Sequence, residues 1–321
     1  IVYYEANNEY YQGCPQTAFI QLKEIKDVDA AQKVEMVQKG DLDLVDMPGS
    51  NDAITQIQEV NSSGKLNGGT ISTRLYDGDS YAYIGMNARK VCVDAKFDST
   101  RSKNLRTALA VLLGATRSNL VELCSTSSKV INYPASDTSW SVPQSADEEY
   151  RGAFVFDADG EVIYSSDMEL EERLQAAKQA ALRYLKRAGY KVKNGKVVEA
   201  ADKSSVKFTV LVPSDGDEGE GLYTMMKNVK DVMKEMGMYL KIDHSKTQKQ
   251  IDKVLKKGRQ QIWCGFEKTD VDGALYDQFH SHSARYKAGK TNYFHIADSD
   301  LDEYIEESMQ TVSLKRSRRL Y

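Results

Sequence analysis

The side chains best suited to chemistry in this sequence are its histidines and cysteines. His280 and His282 form an HxH pair, which can bind a metal only if the segment is extended and a third ligand arrives from elsewhere. We therefore expect surface histidines; the four are His244, His280, His282 and His295. No two cysteines form a CxxC pair, which argues against a zinc ribbon and a redox motif. The cysteines are Cys14, Cys92, Cys124 and Cys264.

Three acidic clusters, at residues 157–160, 270–273 and 298–302, are candidate calcium-binding loops. An EF-hand loop requires oxygen ligands at positions 1, 3 and 5, glycine at 6 and glutamate at 12, and no cluster has this pattern. The first cluster is predicted to be a β-turn. The last is predicted to begin a helix, because carboxylates there meet free N–H groups and the positive end of the helix dipole.

The common enzyme templates also fail on spacing. The sequence contains no GxGxxG after a predicted strand, no GxxxxGK[ST], no GxSxG and no HExxH. The sequence therefore lacks the motif that nucleotide-binding, α/β-hydrolase and zincin functions each require. A metal-dependent hydrolase that uses the aspartate pairs remains an alternative.

Composition bounds the class of protein. The 321 residues correspond to about two domains, and 41% hydrophobic with 28% charged residues is ordinary for a globular chain. The net charge of −4 argues against a nucleic-acid partner. No run of about 18 apolar residues occurs, so no membrane span is predicted. The 19 tyrosines are typical of partly solvent-exposed surfaces, where the ring packs and the hydroxyl makes a hydrogen bond, and they favour the presence of a cleft.

The elements that must position these side chains follow from hydrophobic period and turn chemistry. Helices and strands alternate with short connections, which favours an α/β or mixed α+β fold. The interval 125–149 is long for a loop and is predicted to be either a functional surface loop or a poorly ordered one. A methionine stripe at 225–236 is predicted to be core, and residues 215–221 an exposed loop. Helices are predicted at residues 29–39, 105–123, 168–188, 222–236 and 301–312, and strands at residues 18–22, 42–45, 70–76, 81–86, 206–212, 238–242 and 261–266.

Six short motifs then occur in a fixed order. They are residues 7–15 (NNEYYQGCP), 40–43 (GDLD), 83–87 (YIGMN), 105–121 (LRTAL to TRSNLV), 188–190 (AGY) and 236–238 (MGM). The series resembles the oligopeptide/dipeptide/nickel-type (family 5) solute-binding proteins of ABC transporters. The resemblance implies a periplasmic-binding-protein-like (type II) two-lobe fold. In that family the first motif lies well inside the chain, so we expect a protein lacking its N-terminal part, with residues 1–76 a piece of lobe one and residues 77–321 lobe two, the ligand-binding lobe.

The resemblance also implies a ligand site. Residues 263–272 stand where the family has a G-W-x-x-D-Y-x-D-P-D segment, although Val271 replaces the proline and the alignment needs a gap. In peptide-binding members an acid of this segment meets the peptide amino group through a charge-assisted hydrogen bond, and Glu267 or Asp270 is the nearest match. A solvent-facing turn acid is the alternative for either. The segment contributes Trp263, Cys264, Gly265, Phe266, Glu267 and Asp270 to the expected ligand-binding residues.

Trp140 resembles the aromatic residue that family members place over the ligand; the alternative is a ring that pins the long loop to its own lobe. The implied function is capture of a peptide or related small solute by hinge closure and delivery to an ABC permease. The protein would act outside the cytoplasmic membrane, in the periplasm or lipid-anchored at the cell surface, as a monomer without catalytic residues, metal or cofactor. A ligand-sensing or regulatory domain of the same fold is the alternative.

Overall fold

The computed structural model divides the chain into two compact units, residues 1–75 and 76–321. The division falls one residue before the predicted lobe boundary, and the assignment of the units to lobes stays a prediction. Across the described residues, no helix combines the length and apolarity needed to cross a bilayer. The structure describes residues 1–26, 28–47, 49–62, 64–76, 78, 80–124, 128–136, 139–147, 150, 152–165, 167–215, 217–268, 275–284 and 291–320.

The first unit contains an antiparallel hairpin and a helix pair. Its elements are β1 (Val2–Glu5), β2 (Phe19–Leu22), α1 (Ala30–Lys39) and α2 (Asn51–Val60). Helix α1 confirms the predicted helix, because Asp29 caps its N-terminus and Gly40, at φ 79°, ends it in the left-handed conformation. Val34, Ile57 and Ile71 form a small core between the helices and the following segment.

Two predicted strands of this unit are wrong, because other groups satisfy their backbones. The side-chain amide of Asn61 donates to the Ile71 carbonyl (3.1 Å) and accepts from the Ile71 N–H (2.9 Å), which replaces a strand ladder in residues 70–76. In residues 42–45, the Leu42 N–H instead donates to the Met36 carbonyl and continues the wrapped end of α1.

The second unit is built around a four-stranded sheet. The strands of this sheet are β3 (Ser80–Met86), β6 (Lys207–Pro213), β7 (Tyr239–Lys246) and β8 (Ile262–Lys268), and β4 (Lys191–Lys193) and β5 (Lys196–Glu199) form a separate antiparallel pair. The α-helices of this unit are α3 (Thr100–Gly114), α4 (Arg117–Cys124), α5 (Leu170–Arg187), α6 (Asp217–Glu235), α7 (Gln248–Leu255), α8 (Leu275–Phe279), α9 (Ser299–Gln310) and α10 (Leu314–Leu320), and a 3₁₀ turn spans Ser281–Ala284.

The sheet has the order β3-β8-β6-β7. Strand β6 is parallel to β7 and β8, whereas β3 is antiparallel to β8. Helices α3, α5 and α6 cover one face, with Val210 and Ile262 of the sheet buried beneath them. Helix α7 covers the other face, over Leu211 and Trp263. The described strands and helices therefore form the three-layer arrangement expected of an α/β unit.

Several helix predictions need correction. The predicted helix at 105–123 is two helices, α3 and α4, separated by a turn at Ala115 and Thr116, and α3 begins earlier than predicted, with Ser99 as its N-cap. Helix α6 begins at Asp217, inside the stretch predicted to be a loop. The predicted helices at 168–188 and 301–312 are confirmed by α5 and α9. The methionine stripe is confirmed as core; its buried members are Met225, Met226, Met233 and Met236.

Candidate ligand-binding edge

The topology of the sheet singles out one of its edges. Helix α6 leads from β6 to β7 over one face, and α7 leads from β7 back past β6 to β8 over the other. The strand order therefore reverses between β6 and β8. Ligands of open α/β sheets bind outside the carboxyl ends of the strands at such a switch point. Here those ends are Pro213 and Lys268.

Rings and glycines alternate across β3 and β8 on the face that α7 covers. Trp263 faces Gly85 and Tyr83 faces Gly265 in the strand register. Each glycine leaves room for the opposite ring, since a Cβ on Gly85 would lie 2.3 Å from Trp263 Cζ2 and one on Gly265 would lie 2.8 Å from Tyr83 Cζ. The Trp263 Nε1–H also donates to Tyr83 Oη (3.3 Å). The two rings therefore lie side by side along this face, from the amino end of β8 at Trp263 to its middle at Gly265.

Glu267 stands next along this face, directly opposite Tyr81. Burial raises the pKa of its carboxyl above the ordinary 4.5, the negative charge of Asp252 raises it further, and a hydrogen bond with the Gln278 side chain opposes both. Tyr81 Oη donates to Gln278 Oε1 (3.3 Å), which holds the Gln278 amide beside Glu267. Among the described residues, no cationic side chain forms an ion pair with Glu267. A half-buried carboxylate without a counter-charge favours a cationic partner.

Three tyrosines surround this carboxylate. Burial raises the pKa of Tyr83 to about 12, and Glu267 adds to the rise. The pKa values of Tyr81 and Tyr293 are also raised, chiefly by burial and then by neighbouring carboxylates. All three phenols are thus neutral at physiological pH and can offer a hydroxyl and an apolar ring face to a ligand. We call Glu267, Gln278 and these tyrosines the tyrosine–carboxylate cluster.

The structure separates the predicted site residues into enclosed and accessible groups. Trp263 is 0% exposed, and Cys264 and Gly265 are also buried, with Cys264 facing the main core on the opposite side of the sheet. Phe266 is 38% exposed and Glu267 is half-buried. Asp270 lies outside the described residues. Ligand contact by any of these residues remains a prediction, and Glu267 is the one placed at the switch-point edge with a chemically active group.

Trp140 is 47% exposed and belongs to a loop that approaches the same edge. Ser136 Oγ, four residues earlier, donates to the carbonyl of Gly78, two residues before β3 begins. Arg117 holds the two ends of the loop together, because its guanidinium donates to the Ile131 carbonyl (2.9 Å) and to the Ala153 carbonyl (2.9 Å). The ring is therefore accessible, and the loop that carries it is anchored.

The histidine predictions need correction. His280 is 1% exposed: its Nδ1 accepts from the His282 N–H (3.1 Å) and its Nε2 lies 3.1 Å from Glu306 Oε1, so both ring nitrogens have protein partners. His295 is also buried, and burial followed by the nearby positive charges lowers its pKa. Within the described residues, no group of three or more His, Cys, Asp or Glu side chains could hold a metal ion.

Two of the acidic clusters have the predicted local structures. Asp157 accepts from the N–H groups of Asp159 (2.8 Å) and Glu161 (3.0 Å) in a turn closed by Gly160. Asp298 caps α9. The cluster at 270–273 lies outside the described residues.

Sequence reasoning missed Tyr81, Tyr83, Gln278 and Tyr293 as site residues. Tyr81, Tyr83 and Gly85 do show a period of two within the predicted strand, which places them on one face. Their pairing with β8, however, joins segments about 180 residues apart, as in the bond between Trp263 and Tyr83. Local patterning carries no signal for such a pairing.

The family model for bacterial extracellular solute-binding proteins, family 5 (middle), matches residues 1–281. The chain belongs to this family. A search of curated proteins finds no match.

Solved structures share the fold at low sequence identity. The ABC transporter substrate-binding protein CtaP from Listeria monocytogenes superposes with a TM-score of 0.61 at 15% identity, covering 99% of this chain and 53% of CtaP. The oligopeptide-binding protein AppA from Bacillus subtilis, in complex with a nonapeptide, gives 0.56 at 20% identity, covering 99% and 54%. A nickel ABC transporter protein from Bacillus halodurans gives 0.53 at 17% identity, covering 98% and 54%. The chain spans about half the length of these proteins.

Proposed function

We propose that this protein captures peptides or a related small solute outside the cytoplasmic membrane and delivers them to an ABC permease. Membership of the extracellular solute-binding family supports the class of activity. The observation that carries the ligand proposal is the carboxylate of Glu267, which stands half-buried at the switch-point edge without a cationic partner among the described residues. Periplasm and a lipid-anchored position at the cell surface are both consistent with this function.

The site chemistry favours a ligand that carries an ammonium group. An ionised Glu267 would accept a charge-assisted hydrogen bond from it, and the ligand would supply the missing counter-charge. The neutral tyrosines beside it would contact the carbon skeleton without demanding one side-chain identity. Trp140, on the anchored loop, would add a further apolar surface. Closure of the two lobes typical of such receptors would then bury the ligand.

The test is a thermal-shift screen of the protein expressed from its complete gene, with di- to hexapeptides and matched N-acetylated peptides. A ligand that binds only the folded state raises the melting temperature. We expect free-amino peptides to raise it and acetylated peptides to fail, because acetylation removes the ammonium charge. Glu267→Gln should abolish the shift, whereas Glu172→Gln, an exposed charge on α5, should preserve it.

The pH dependence provides a second readout of the same site. Ammonium binding needs the ionised carboxylate, so affinity falls as pH drops through the raised pKa of Glu267. In the free protein the sign is opposite: the folded state binds the proton more tightly than the unfolded one, so this group costs stability as pH rises through that window. Glu267→Gln should therefore melt no lower than wild type at neutral pH. Equal peptide shifts in wild type and Glu267→Gln would refute the assignment.

A further inference from the structure

A stripe of basic side chains runs along α7 and the turn that follows it. Lys249, Lys253, Lys256 and Lys257 occupy positions i, i+4, i+7 and i+8, which lie on one helical face. All four are exposed, as is Arg259 two residues later. We call these five residues the basic stripe.

The rest of α7 faces elsewhere. Ile251 and Leu255 are buried against the sheet and fix the orientation of the helix. The only acid in residues 248–260 is Asp252, whose charge acts on Glu267 and Tyr293. The stripe thus lies away from the packed side of the helix.

The cations of the stripe differ from other lysines of this unit in their ion pairing. Among the described residues, no carboxylate forms an ion pair with any of the five. Other lysines of this unit are paired, for example Lys103 with Asp298 at 2.8 Å and Lys178 with Glu235 at 2.6 Å. Because the whole chain carries a net charge of −4, the positive charge here is a local concentration.

A second basic segment adjoins the end of the stripe. Asn87 Nδ2 donates to the Gly258 carbonyl (3.3 Å), and the Arg89 N–H donates to Asn87 Oδ1 (3.0 Å). Arg89 and Lys90 are both exposed, and their charges help to lower the pKa of the neighbouring His295, after burial. The basic stripe, Arg89 and Lys90 thus form one basic surface. Since α7 leads to the amino end of β8 and Glu267 lies near the carboxyl end, this surface extends to the sheet edge opposite Glu267.

We propose that the basic stripe of α7 binds the anionic headgroups of a phospholipid bilayer. The cations stand side by side on an exposed helix face, which matches a broad charged plane better than a single small anion held by converging donors. A solute receptor that serves a membrane permease works beside such a surface. Binding would hold the protein at the membrane, a role beyond solute capture itself.

The test is co-sedimentation of the full chain with vesicles of phosphatidylglycerol and phosphatidylcholine in equal parts, against vesicles of phosphatidylcholine alone. We expect binding only to the anionic vesicles at about 0.1 M salt and its loss near 1 M, where the Debye length falls to about 3 Å. The triple variant Lys253→Glu, Lys256→Glu, Lys257→Glu should lower the partition coefficient about 100-fold.

A matched variant, Lys23→Glu, Lys65→Glu, Lys186→Glu, makes the same change in net charge at exposed lysines outside the stripe and should bind vesicles far better than the stripe variant. Equal losses in the two variants, or no binding of the wild type, would overturn the proposal. Release from the vesicles by millimolar inorganic phosphate would show a simple anion site and would also overturn it. The choice of a membrane rests on the proposed function, but the peptide-induced thermal shift should survive in the stripe variant, so failure of the membrane proposal and failure of the transport proposal give different results.

Discussion

The contact between Gly85 and Trp263 gives a quantitative test of how the candidate site is supported. A Cβ at residue 85 would lie 2.3 Å from Cζ2 and 2.5 Å from Cε2 of the indole, whereas carbon atoms in contact prefer about 3.5–4.0 Å. One group must therefore move by more than about 1 Å. The indole has little freedom to do so, because it is buried, donates to Tyr83 Oη and packs against Phe294 at 5.2 Å between centroids. We expect Gly85→Ala to lower the free energy of unfolding by about 3 kcal/mol.

A double-mutant cycle isolates this contact. Trp263→Phe removes the part of the ring that a Cβ at residue 85 would strike, and alone should cost about 2 kcal/mol through the cavity it leaves. The double variant should then cost about 3 kcal/mol rather than about 5, a favourable coupling of about 2 kcal/mol. Urea unfolding followed by circular dichroism measures all four proteins without relying on tryptophan fluorescence.

Gly265→Ala provides the matched control, because its Cβ would lie 2.8 Å from Tyr83 rather than against the indole. We expect a cost of about 1 kcal/mol, since the end of the half-buried phenol can shift. Trp263→Phe should not rescue this variant. Additive energies for Gly85→Ala and Trp263→Phe would refute the inference that the indole fills the space over Gly85.

Two further predictions concern reactivity and the anchored loop. Burial raises the pKa of the Cys264 thiol to about 12, so a maleimide at neutral pH should modify the exposed Cys14 and spare Cys264 until denaturant is added; mass spectrometry that finds equal labelling of the folded protein would contradict this. Arg117→Met should lower the free energy of unfolding by about 2 kcal/mol and speed proteolysis within residues 128–150. The control Arg187→Met, at an exposed arginine, should do neither. Unchanged cleavage in both variants would contradict the anchoring role of Arg117.

The elements that could be predicted from the sequence are those defined by local signals. Helix α5 has an apolar period, and Gly189 at φ 97° follows two residues after its last residue. Helix α6 is followed in the same way by Gly237 at φ 77°. These helices carry their own stop signals. The segment at 70–76 has an equally plausible strand pattern, but its backbone is bonded by the side chain of Asn61, and the sequence alone does not distinguish that partner from a strand.

The candidate site was predictable to a similar extent. The resemblance predicts a ligand site in the segment around Glu267, and that site stays a prediction. The structure shows that the pleat divides the segment, since Cys264 faces α3 and α6 while Trp263 faces α7. Which side each residue takes depends on the register with β3, a contact between distant parts of the chain. The composition shows the tyrosine bias, but it does not show that Tyr81 and Tyr83 lie beside Glu267, because that placement depends on the same register.

The register also determines which groups surround the carboxylate of Glu267 at this edge. Tyr81 and Tyr83 cannot neutralise Glu267, because they carry no positive charge, and the proximity of Glu267 makes their own ionisation harder. Gln278 offers one hydrogen bond, which opposes but does not cancel the effect of burial. An arrangement with this cost to the free protein is retained most simply where a bound cation removes it. We therefore expect the same packing both to disfavour the ionised free site and to favour the proposed ammonium ligand.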